Sequence, residues 1–150
     1  MVVDSLMKIG IKEDDHDAQY EFMEMLCEVA EEEDMHVHIV MHPRKAQDED
    51  SVPGKLDVKG SGTLTDLAWN VFSLFRNKKK ERKIAQLKRE NELVPPDLYG
   101  QPDALLNCSK QREGSGWEGN IALWFDKPSG CFLGHQSEKP KRYVEWSRNA

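Results

Sequence analysis

The stretch that most constrains this 150-residue chain is His36-Val-His-Ile-Val-Met-His-Pro-Arg-Lys45, an apolar run that stops at a histidine, a proline and two cations. A short Val/Ile/Met run ended by proline predicts a buried parallel strand feeding a loop. In open α/β sheets, ligands bind at the carboxyl ends of such strands. This strand therefore delivers a polar sensor and positive charge to the place where a phosphate would lie.

The segment before it supplies a partner. Met1-Val-Val-Asp-Ser5 is a few apolar residues ending in an acid, which reads as the last part of a buried strand. Asp14 to Asp17 offer helix caps and early-turn acids. Phe22, Met25, Leu26 and Val29 follow at i, i+3, i+4 and i+7, the stripe of an amphipathic helix. Glu21, Glu24, Glu28 and Glu31 to Glu33 read as its solvated face. Strand, helix and strand make a right-handed crossover with parallel strands. Asp4 and His42 should then meet at one edge of the sheet.

Beyond Arg44 the pattern lapses into a long loop to Lys59, and such loops in compact domains are usually functional or disordered. Gly60-Ser-Gly62 opens the segment Thr63 to Trp69. Glycines ahead of a helix can turn backbone amides toward an anion, although a plain helix start accounts for them equally well. Asn70 to Phe75 reads as a strand, and Arg76 to Asn91 as a charged, exposed helix ended by Pro95-Pro96. Lys78 to Lys80 are solvated on this reading, with nucleic-acid contact the alternative. Strands follow at 104–108, 120–125 and 131–133. The loop 110–119 and the turn 127–130 join them as antiparallel hairpins. Residues 135–150 read as a poorly ordered polar tail, from which Trp146 could dock.

Charge supports an anionic ligand. Residues 1–40 hold two basic and twelve acidic side chains, a net of −10, whereas residues 41–90 hold twelve and seven, a net of +5. The remainder is −1, for a total of −6. An acidic first third beside a basic middle suggests that a polyanion meets the middle. No apolar run approaches the length of a membrane helix and no secretory signal opens the chain, so the reading is a cytoplasmic protein without a membrane partner. Cys27, Cys108 and Cys131 are odd in number and widely spaced, and read as reduced, half-buried thiols. His36, His38 and His42 share strand parity. Without carboxylates at matching spacing, His36 and His38 read as satisfied strand histidines more readily than as metal ligands.

Four segments in this order, Val-Val-Asp-Ser, His-Ile-Val-Met-His-Pro-Arg-Lys, Asp-Val-Lys-Gly-Ser-Gly-Thr-Leu and Ser-Lys-Gln-Arg-Glu-Gly, carry a resemblance. Over about residues 1–133 the chain resembles the carboxy-terminal half of DnaB-like hexameric replicative helicases, close to the mitochondrial Twinkle and bacteriophage primase-helicase branch. The resemblance implies an α/β fold: a partial RecA-like core with parallel strands and C-terminal antiparallel hairpins, spanning residues 1–134. It implies a motor driven by ATP, or another nucleoside triphosphate, with Mg2+. Single-stranded DNA would be the substrate, in a ring of six copies and in the cytoplasm of a phage-infected bacterial host.

Asp4, with Ser5 beside it, matches the acid that helps hold Mg2+ on the nucleotide, a hard cation that prefers oxygen; on the residues alone Asp4 could equally be a cap. His42 matches the polar sensor of the γ-phosphate. Arg44, Lys45, Lys55, Lys59 and the amides at Gly60, Ser61 and Gly62 correspond to the channel-lining segment, whose phosphate contacts would be sequence-independent and salt-sensitive. Lys110 and Arg112 match the cations that reach the neighbouring subunit's nucleotide, with Arg112 as the finger. Without the family match, they are two exposed cations on a hairpin loop.

Two departures stand out. The phosphate-binding Gly-x-x-x-x-Gly-Lys-Ser/Thr loop and the glutamate-bearing strand after it are absent from this sequence. Nucleotide would then be held only with an upstream polypeptide or a neighbouring subunit, and the isolated chain should be inactive. Trp69 stands where the family commonly has an acid. The competing readings are a non-enzymatic module that binds DNA or a helicase, and, more weakly, a metal-dependent hydrolase using Asp4 and the histidines.

Overall fold

The computed structural model describes residues 1–12, 14–42, 62–114 and 116–141. In chain order its elements are β1 (Val2–Asp4), a 3-10 turn (Leu6–Ile9), α1 (His16–Glu32), β2 (His38–Val40), α2 (Gly62–Leu67), β3 (Asn70–Arg76), α3 (Lys78–Arg89), α4 (Pro96–Gly100), β4 (Ala104–Gln111), β5 (Gly119–Asp126) and β6 (Cys131–Leu133). The fold is mixed α/β. Among the described residues no helix is long and apolar enough to cross a membrane.

The chain divides into two compact units, Met1–Leu74 with Asn107–Asn120 and Phe75–Leu106 with Ile121–Ala150. In the first, β1 and β2 pair in parallel with Val2 opposite His38, Val3 opposite Ile39 and Asp4 opposite Val40. The crossover between them is α1, as its position in the sequence predicts. Asp15 caps the helix, its carboxylate accepting from the Ala18 amide at 3.1 Å. The buried stripe is rotated from the expected one: Met23 is only 4% exposed and Leu26 is buried, while Met25 is 48% exposed. Gln19 causes the difference. It is fully buried and its amide donates to the Lys12 carbonyl at 2.9 Å, so a polar residue belongs to the inward face. Met23 and Leu64 form the core, with Phe22, Ile39, Met41 and Leu67 packed on them.

The strands β3, β4, β5 and β6 are neighbours in that order in a four-stranded sheet. The Arg112 amide donates to the Trp69 carbonyl at one end of β3, and the Asn77 amide to the Asp103 carbonyl at the other. That crossing of residue numbers makes β3 and β4 antiparallel. Trp124 opposite Leu133 and Asp126 opposite Cys131 make β5 and β6 antiparallel, the hairpin expected from 127–130. The strand β4 runs to Gln111, so Lys110 lies within a strand and not on the loop assigned to it.

In the second unit, α3 ends at Arg89. The chain turns through Glu90 and Asn91, whose φ is 55°, several residues before the prolines expected to stop it. Pro96 instead opens α4, which periodicity does not reveal. Lys80 corrects the solvated-face reading of Lys78 to Lys80: it is 5% exposed, and its ammonium sits 2.8 Å from an Asp103 carboxylate oxygen and on the Gln101 carbonyl. Cys108 is fully buried, unlike the half-buried Cys27 and Cys131, and all three thiols are free. Residues 135–138 are tied to the second unit, with Gln136 donating to the Tyr99 carbonyl at 3.4 Å. Trp146 lies outside the described residues.

Candidate functional site

The parallel register fixes which residues end the two strands on the same side. Asp4 is the last residue of β1 opposite Val40, and His42 follows two residues on. Both are exposed, while Ser5 just beyond is buried. Ile39 and Met41 alternate inward onto the core, so the strand pleat turns the even-numbered residues of this run outward. Asp4 and His42 thus share one edge, the convergence expected from the crossover. His38 opens β2 and His36 precedes it; both are exposed, with ring centroids 4.3 Å apart.

Among the described residues no three His, Cys, Asp or Glu side chains gather to hold a metal ion. That donor set does not make a closed cage. A single exposed carboxylate does suit Mg2+, which keeps several waters and is usually shared with phosphate oxygens.

Lys110 and Arg112 gather at the carboxyl end of α2. The Lys110 ammonium donates to the Thr65 carbonyl at 2.9 Å and the Asp66 carbonyl at 2.7 Å. The Arg112 guanidinium donates to the same Asp66 carbonyl. This gives the two cations of the hairpin partners in their own chain, although Arg112 remains exposed. Helix α2 has no basic residue in its own last turn, so β4 supplies the charge that its carbonyls favour. Sequence patterns could not reveal this, because backbone acceptors leave no side-chain signature.

Cys27 lies beside the same helix end, its thiol 4.0 Å from the Leu67 carbonyl. Burial pushes this thiol above its ordinary pKa, the Glu31 and Glu24 carboxylates push the same way, and the Arg112 guanidinium opposes them. In the loop after β4, the Trp117 amide donates to the Gln111 side chain at 2.8 Å. Its indole lies over Gly119, where an added Cβ would meet the ring at 3.0 Å. Trp69 is exposed, and its carbonyl accepts from the Arg112 amide.

Gly62 is the first residue of α2. Arg44, Lys45, Lys55, Lys59, Gly60 and Ser61, the other residues assigned to DNA, lie outside the described residues. No protein-family model matches the chain, and no curated protein matches it.

Proposed function

We propose that the chain is the carboxy-terminal part of the RecA-like motor of a ring-forming replicative DNA helicase, working in the cytoplasm of a phage-infected bacterium. The observation that carries this reading is the parallel pairing of β1 and β2, which puts a carboxylate and an imidazole at one strand edge. In this role Asp4, beside Ser5, holds Mg2+ jointly with the triphosphate of ATP or another nucleoside triphosphate. His42 donates one hydrogen bond to the γ-phosphate. Arg112, with Lys110, reaches the triphosphate of the next copy in a hexamer. A guanidinium carries five N–H donors, so bonding to Asp66 does not exhaust Arg112.

The sequence holds no phosphate-binding loop, so the isolated chain should hydrolyse no ATP. Mixed with an upstream polypeptide that carries that loop, it should give ATP turnover stimulated by single-stranded DNA. DNA-stimulated hydrolysis by the pure chain, lost on Arg112→Ala, would contradict the assignment.

The bonds from Lys110 and Arg112 to their own chain favour a second reading, a non-enzymatic module that binds single-stranded DNA or a helicase ring. DNA binding without turnover in every mixture would select it.

A further inference from the structure

Helix α3 is seated by one side. Leu87 is 6% exposed, and Lys80 is held by Asp103 and the Gln101 carbonyl. At about 3.6 residues per turn, the line opposite that seat carries Lys78, Arg82, Ala85 and Arg89. Lys79 and Lys83 stand on one flank of this line and Lys88 on the other, and all of these residues are exposed. The helix has seven Lys/Arg and a single acid, Glu81, which is bonded to Arg76. Among the described residues no carboxylate pairs with Lys78, Lys79, Lys88 or Arg89. The second unit has thirteen basic and eight acidic side chains, a net of +5, within a chain whose total is −6.

A solvated helix face ordinarily interleaves the two signs, because like charges four residues apart repel and the first turn of a helix disfavours cations. This face does the opposite: Lys78 and Lys79 open the helix, and Lys78 with Arg82 and Lys79 with Lys83 are like charges four residues apart. A local rule broken in this way marks a place where function outweighs stability.

We infer that the outward face of α3 docks in the major groove of double-stranded DNA, with Lys79 and Lys83 facing one phosphate strand and Lys88 the other. That groove is about 12 Å wide, close to the diameter of a helix with its side chains, and both of its walls are phosphate. Ala85 keeps the crest low between the flanking cations. Other polyanions fit less well. Single strands are held by stacking on aromatic side chains, and α3 has none. An anionic membrane takes a helix by a free apolar face, whereas Leu87 of α3 is buried within its own unit. Double-stranded RNA has a major groove too narrow for side chains to read. The site stands on α3 alone and needs nothing from the proposed motor.

The test is fluorescence anisotropy of the full chain with labelled duplex DNA of about 20 base pairs, two helical turns. Salt is varied over roughly 50 to 200 mM, and the association constant should fall with a log–log slope of about −0.9 per phosphate neutralised. The triple variant Lys78→Gln, Lys79→Gln, Lys83→Gln should weaken binding about tenfold or more and reduce the slope by about three. Adding Lys88→Gln should remove about one unit more. The triple variant should unfold at a urea concentration no lower than wild type, since it loses repulsion, and this shows that it is folded. A lower midpoint would overturn the inference, because the lysines would then serve stability. So would wild type that binds no duplex, or duplex binding that the triple variant keeps unchanged. A Lys88→Gln step without effect, or equal binding to double-stranded RNA, would rule out the groove. An equal loss on a single strand of the same length would make that strand the partner, and capture by phosphatidylserine vesicles without duplex binding would make it a membrane. Neither ATP nor an upstream polypeptide is present, so failure here and failure of the helicase reading give separate results.

Discussion

Lys80 and Lys110 are both lysines on charged segments, and both finish on backbone carbonyls. The surroundings of the two differ. Lys80 is buried and adds a carboxylate, Asp103, whose second oxygen accepts from the Phe125 amide at 2.9 Å. Asn77 ties the same place together, capping α3 through the Lys80 amide at 3.0 Å and donating to the Pro102 carbonyl at 3.1 Å. Lys110 and Arg112 hold carbonyls of α2 from positions that water and anions can reach. A buried cation paired with a half-buried carboxylate is a structural fastening, whereas the carbonyl contacts of Lys110 and Arg112 lie at a more accessible helix end. The same residue type therefore fastens a buried cation to a carboxylate in one unit and closes the end of a short helix in the other.

The largest effect should come from the fastening. Lys80→Met leaves Asp103 and the Gln101 carbonyl without their cation and should cost about 3 kcal/mol in urea unfolding, the low end of the scale for breaking a buried pair because Asp103 is only half-buried. A loss no larger than that of an average surface substitution would erase the contrast. The double substitution Lys110→Met, Arg112→Met should cost about 1 kcal/mol in the same assay, as removal of helix-end cations does.

Two smaller effects sharpen the contrast through titration. Alkylation of Cys27 by iodoacetamide should report a thiol pKa above the ordinary value, set mainly by burial. Arg112→Met should move it further up, because a charge that lowers it is gone; no movement would place Arg112 away from Cys27 in solution. The smallest effect concerns the exposed Arg76–Glu81 pair, in which Nε and Nη2 of the guanidinium each donate to a carboxylate oxygen at 2.7 Å. The hydrogen bond from Arg76 holds the Glu81 carboxyl below its usual pKa. A depressed folded pKa means the stabilisation is present above the unfolded pKa and is lost as pH falls through the folded one. Arg76→Gln should therefore lower stability slightly at neutral pH and not at all in strong acid, a small change because the pair is solvated.

The crossover was legible because two apolar runs flank an amphipathic segment, and Pro43 ends the second. The face of α1 was misplaced because a hydrophobic count cannot register Gln19, which is buried through a bond to a distant carbonyl. Lys80 was misread for a related reason: its partner Asp103 is far along the chain, and a lysine-rich helix looks solvated unless that partner is known. The strand β4 was read short because Ser109, Lys110 and Gln111 are polar, yet Ser109 gives its hydroxyl to the Val71 carbonyl at 3.4 Å. Asp4 and His42 were predicted to share an edge because parallel topology alone requires it. Where Lys110 and Arg112 rest depends on bare carbonyls, which no residue pattern records.

The central claim is that the carboxylate and the imidazole at the β1–β2 edge serve the same triphosphate. Its most direct measurement is DNA-stimulated ATP turnover in the reconstituted mixture, with Asp4→Asn and His42→Ala assayed beside Arg76→Gln. We predict that each of the first two lowers turnover about a hundredfold or more, the scale for losing a metal-holding or charge-stabilising group, while Arg76→Gln leaves it intact. Full turnover with Asp4→Asn would contradict the account.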